Sequence, residues 1–80
     1  MVRIVFADHL LPVTAGEREI VLPVTSVREL LQALERRFPG SEPFLKKCAI
    51  AINGEIHQDA FLEPLDADSD VFFMQRIEGG

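Results

Sequence analysis

Few side chains in this sequence are equipped for chemistry, and their spacing narrows the choice further. His9, His57 and the single cysteine, Cys48, lie far apart. No carboxylate or second thiol stands at the spacing from them that a zinc site or a general base requires. Both histidines are therefore expected to be solvent-facing polar residues. Cys48 heads the apolar run "CAIAIN", which points to a buried, inert thiol. Asp66, Asp68 and Asp70 alternate like calcium ligands, but the glycine and distal glutamate of such a loop are missing, so a solvated acidic surface is expected. What remains is the ending "QRIEGG", Gln75 to Gly80. Gly79 and Gly80 offer no side chain, so the only reactive group there is the carboxylate of Gly80. Two glycines make a thin, permissive backbone that fits a narrow slot. The plainer reading is a frayed end.

The elements that must position this carboxylate are legible from periodicity. "VRIVFA" (residues 2–7) alternates as a strand, with Val2, Ile4 and Phe6 on one face. Pro12 and Gly16 break the next stretch into a loop, and "REIVLP" (residues 18–23) reads as a second strand. The period then changes. Val27, Leu30, Leu31, Leu34 and Phe38 form one helical stripe, with Ser26 and Glu29 at capping-box spacing and Pro39-Gly40 as the stop. "SEPFLKK" is a short connection of about one helical turn, pinned by Phe44 and Leu45. "CAIAIN" reads as a buried strand, Asn53-Gly54 as a tight turn and "EIHQ" as a short strand. "DAFLEPLDADSD" is an acidic loop anchored by Phe61, Leu62 and Leu65, and "VFFMQRI" (residues 71–77) is a last strand running into the glycines. If Val71 and Phe73 face the helix, period two turns Phe72 and Met74 outward, with Arg76 at the edge of the same face. Phe72, Met74 and Arg76 are therefore the candidate partner-binding residues.

The order β-β-α-β-β-β with one amphipathic helix needs one sheet face to cover the helix. The expected class is α+β: a β-grasp, ubiquitin-like fold in which a mixed sheet of four to five strands wraps one main helix. The expected division is a β-grasp domain over residues 1–77 and a flexible Gly-Gly tail over 78–80. Eighty residues suffice for one domain. The net charge of −5 opposes nucleic-acid binding, which needs clustered Lys and Arg, and fits a basic protein partner or simply solubility. No run approaches the ~20 apolar residues of a membrane span, and no leader pattern opens the chain. One cysteine permits no disulfide framework, and a reducing cytoplasm is the expected compartment.

The opening strand, the helix "SVRELLQALERRFPG", the "AINGE" turn and the final "GG", in that order and spacing, resemble the MoaD/ThiS family of ubiquitin-like sulfur carriers. The length and the "SEPFLKK" segment look more like the small subunit of molybdopterin synthase than the shorter thiamine-pathway carrier. Two stretches depart from the family pattern. Asp68-Ser69-Asp70 stands where Gly-Asp-Glu is usual, and Gln75-Arg76 where the molybdopterin type often has two prolines. The resemblance implies a carrier, not an enzyme. Its Gly80 carboxylate, reached along Gly79, would be adenylated by a ubiquitin-activating-type adenylyltransferase using ATP. A sulfur donor protein would then convert it to a thiocarboxylate for a synthase large subunit or another sulfur-accepting enzyme. No metal and no cofactor would be bound by the chain itself. Two other classes share the same ending: a protein modifier joined to lysines through Gly80, and a plain β-grasp interaction module.

Overall fold

The computed structural model describes residues 1–76. Five strands form one sheet in the order β2-β1-β5-β3-β4, where β1 is Val2–Phe6, β2 Glu19–Leu22, β3 Ala49–Ile52, β4 Glu55–His57 and β5 Asp70–Met74. The first and last strands are parallel neighbours at the centre, with Ile4 opposite Val71 and Phe6 opposite Phe73. The other pairings, β1 with β2, β3 with β5 and β3 with β4, are antiparallel. This is the expected β-grasp architecture.

One helix, α1 (Val27–Arg37), covers one face of the sheet. Its start is set by Ser26, whose Oγ accepts the Glu29 N–H at 3.1 Å. The Glu29 carboxylate reaches back to the Thr25 N–H at 3.3 Å and the Thr25 hydroxyl at 3.2 Å. Val27, Leu30 and Leu34 are fully buried, Leu31 nearly so. At the helix end the Phe6 ring stands edge-on to Phe38 at 6.3 Å and stacks on Phe73 at 5.6 Å, tying helix to central strands.

A second helix, α2 (Glu42–Leu45), is a single turn. Glu35 on α1 holds it: the carboxylate accepts the Gly40 N–H at 2.7 Å and the Glu42 N–H at 2.9 Å. These bonds, Gly40 first, lower the Glu35 pKa below its ordinary 4.5. The Asn53-Gly54 turn forms with φ of 50° and 85°, as the hairpin requires. Asn53 also reaches β5, its Oδ1 accepting the Asp70 N–H at 2.8 Å.

Three expectations are corrected. Phe44 does not pin α2: Leu45 is fully buried and Phe44 is exposed. Phe61 and Leu62 do not anchor the acidic loop; both are exposed, and Ala60 and Leu65 are buried instead. The loop is positioned from its backbone, since the Val27 N–H donates to Glu63 O and the Leu65 N–H to Thr25 O, placing Pro64 beside Ser26. Exposed Phe61 rests between the cations of Arg28 and Lys46, at 6.0 and 5.7 Å. The last strand stops at Met74, because its neighbours run out: Phe6, the last residue of β1, pairs with Phe73, and Ala49, the first of β3, pairs with Met74. Ile77 lies outside the described residues.

Leu34→Ala is expected to cost about 2–5 kcal/mol out of the roughly 5–15 kcal/mol that holds a small domain; urea unfolding measures this. A second expectation follows from Glu35. Its folded pKa is depressed, so its stabilising contribution is complete above the unfolded value and disappears as pH falls through the folded one. Glu35→Gln should therefore flatten the loss of stability below pH 4.5, read from melting temperatures across an acid series.

Candidate functional site

The side of β5 turned away from α1 is the site the sequence pointed to. Val71 and Phe73 are buried against the helix side at 1% and 0% exposure, whereas Phe72 is 37% exposed. The register is the expected one. Cross-strand pairing extends the patch beyond Phe72 and Met74. In one row across the sheet stand Val5, Phe72, Ala51 and Ile56; in the next, Met74 pairs with Ala49. Ile56 and Val21 are both exposed on this side. A shallow depression of about 360 Å³ lies among Arg3, Val5, Ala51, Asp70 and Phe72. Arg3 closes its rim, donating to Glu19 at 3.0 Å and to Asp70 at 3.4 Å. Those carboxylates, Glu19 first, raise the Arg3 pKa. Ile56, Val5 and Ala51 were not singled out from the sequence. Period two in the "EIH" strand was the available signal for Ile56.

Arg76 is not in these rows. It follows the end of β5 and lines a separate groove with His9, Phe44 and Lys47. The candidate trio is thus divided: Phe72 and Met74 on the outer sheet face, Arg76 beyond it. Gly79 and Gly80 lie outside the described residues.

The remaining candidates are placed as follows. Cys48 is buried; its Sγ donates to the Phe44 carbonyl at 3.5 Å, and desolvation raises its pKa, which disfavours the thiolate. His9 is exposed, as expected. His57 is not solvent-facing. Its side chain is 22% exposed and stands between Glu55 at 3.8 Å and Glu63 at 3.7 Å, because β4 turns it inward opposite Ile50. Among the described residues no cluster of His, Cys, Asp and Glu is arranged to hold a metal ion, and no helix is long and apolar enough to cross a membrane.

Over residues 5–80 the sequence matches the ThiS family. The chain belongs to that family. Its members are ubiquitin-like sulfur carriers. No curated protein matches it by sequence. Solved structures resemble this ThiS-family chain closely in shape. One is the BexX/CysO complex of Amycolatopsis orientalis, with a TM-score of 0.85 at 18% identity, covering 100% of both chains. Another is small archaeal modifier protein 1 from Methanosarcina acetivorans, with a TM-score of 0.77 at 20% identity, covering 99% of this chain and 95% of that one. A third is the complex of subunits 1 and 2 of molybdopterin-converting factor from Helicobacter pylori, with a TM-score of 0.66 at 23% identity, covering 99% and 97%. At these identities the likeness concerns the fold.

The two faces of β5 make a paired test. Phe73→Ala should cost about 3–5 kcal/mol, and Phe72→Ala about 1 kcal/mol or less. Chemical denaturation of both variants measures the difference, and the reverse order would mean that the strand is seated the other way round.

Proposed function

We propose that this ThiS-family chain carries sulfur on the C-terminal carboxylate of Gly80. A carboxylate is a poor electrophile, so it must first gain a leaving group. Attack of its oxygen on the α-phosphorus of ATP forms the acyl-adenylate and releases pyrophosphate. A hydrosulfide-level sulfur from a donor protein then forms a C–S bond as the C–O bond to AMP breaks, leaving the thiocarboxylate and AMP. ATP belongs to the activating partner, a ubiquitin-activating-type adenylyltransferase. The acceptor is a synthase large subunit or another sulfur-accepting enzyme in cofactor or metabolite biosynthesis, of the molybdopterin or thiamine kind. The chain itself supplies no catalytic side chain.

The observation that carries this reading is that the family match runs through Gly80, the residue whose carboxylate would react. The fold supports it. β5 is a central strand bonded on both sides, so the segment after Met74 leaves from a rigid base beside the apolar outer face. Gripping the body at Phe72 and Met74 would orient that segment, since a partner that held the segment alone would bear its whole ordering entropy on binding. Two of the similar structures are complexes with a protein partner, which fits a body made to be gripped. The likeness to a modifier protein gives the rival reading, in which activated Gly80 acylates a lysine.

Deleting Gly80 should abolish ATP–pyrophosphate exchange by the cognate adenylyltransferase while the melting temperature stays near that of the intact chain. Undiminished exchange by the deletion variant would refute the proposal. Intact mass of protein from its native host separates the rivals: sulfur for oxygen adds about 16 Da, whereas lysine conjugation gives a ladder of much larger adducts.

A further inference from the structure

Where β5 ends, the surface carries a second concavity, apart from the rows of the outer sheet face. His9, Leu10 and Val13, from the turn after β1, meet Phe44 and Lys47, from α2 and the residues after it, with Gln75-Arg76 beside them. The space is about 470 Å³. At Val13 and Phe44 it adjoins another depression of about 380 Å³, lined by Pro12, Pro39, Gly40 and Ser41. Together they form one trench, with an apolar stretch at one end and cations beside the terminal segment at the other.

Two features give this trench a chemical preference. The first is charge. The chain has 13 carboxylate side chains against 8 Lys and Arg, yet among the described residues no Asp or Glu lines either depression. Nearby acids are engaged elsewhere: Asp8 with Arg18, Glu42 with Lys46, and Glu35 with backbone N–H groups. Lys47 and Arg76 thus make a basic spot on an acidic molecule. The second is Phe44. It is 57% exposed while its neighbour Leu45 does the packing of α2, so its ring is presented outward. An exposed aromatic beside Lys and Arg has the composition of an interface anchor.

We infer that the trench seats an acidic, extended segment of the protein that acts on the terminus. An aromatic or leucine side chain of that segment lies against Phe44 and Val13, and its carboxylates meet Lys47 and Arg76. The identity of this partner rests on the carrier reading; the binding chemistry does not. Held at the sheet's outer face alone, the body still pivots about that single patch. A second hold at the base of the terminal segment removes the pivot. The trench depends on the Ser41–Lys47 stretch, so it also supplies a means of discriminating among partners.

The test is an NMR titration of the isotope-labelled protein with a blocked acidic hexapeptide, EDLFED, and with its charge-swapped twin, KRLFKR. Saturable amide shifts at His9, Val13, Phe44, Lys47 and Arg76 are expected with the acidic peptide and none with the twin. The double variant Lys47→Glu, Arg76→Glu should weaken binding about tenfold or more, as loss of complementary charges predicts. Phe44→Ala should weaken it with no fall in melting temperature. Absence of saturable shifts, equal binding of the twin, or shifts confined to Phe72 and Ile56 would overturn the inference. Pyrophosphate exchange keeps the two readings apart. A wild-type chain that binds the acidic peptide but supports no exchange sinks the carrier reading and upholds the trench. Exchange with an unaltered KM in Phe44→Ala, Lys47→Glu sinks the trench and upholds the carrier.

Discussion

The parallel pairing of β1 with β5 is the constraint on which the rest of this molecule depends. It joins segments almost a whole chain length apart, so the largest loop-closure entropy in the fold is met there. The offset is local and apolar. Val2, Ile4 and Phe6 on one strand and Val71 and Phe73 on the other are all buried under α1. The Phe6–Phe73 stack and the Phe6–Phe38 edge contact extend that burial into the end of the helix. β2 and β3 flank this pair, and β4 flanks β3, so every other strand is placed relative to the central pairing. The same pairing determines where the chain emerges after Met74, next to the outer sheet face on one side and the trench on another.

Features set by neighbouring residues could be read directly. The Ser26 cap, the Pro39-Gly40 stop, the Asn53-Gly54 turn and the alternation through Val71, Phe72 and Phe73 are all determined within a few positions. Features set across the fold could not. Apolarity suggested that Phe44, Phe61 and Leu62 were anchors, but which apolar residues in a loop are buried depends on how its backbone is tied down. Here that is done by Thr25 and Val27, far away in sequence. The end of β5 is decided by the lengths of β1 and β3, not by its own β-branched and aromatic content. No local pattern marks Glu35, because only the return of residues 40–42 gives it two N–H groups to accept.

The same contrast applies to the candidate site. Phe72 and Met74 followed from period two alone. Their enlargement into a patch with Val5, Ala51 and Ile56 needed the registers of three pairings. The trench is further still from local pattern, because three stretches of chain contribute to it and none has the charge or apolar spacing of a motif. Arg76, grouped with the sheet face by counting along a strand, belongs to the trench because the strand ends two residues earlier.

The bracketing of β5 has a mechanical consequence. Its ladders to β1 and β3 both run across the strand direction. A pull along β5 from its C-terminal end therefore loads every rung on both sides at once, in shear. The three-residue edge strand β4 is bonded on one side only, so the same pull on it would meet fewer rungs. Resistance to such a pull is a rate, governed by how fast the structure unfolds rather than by its equilibrium stability. The end of the chain that partners would handle is thus attached to the part of the body least easily unzipped, and traction on it is borne by the whole sheet.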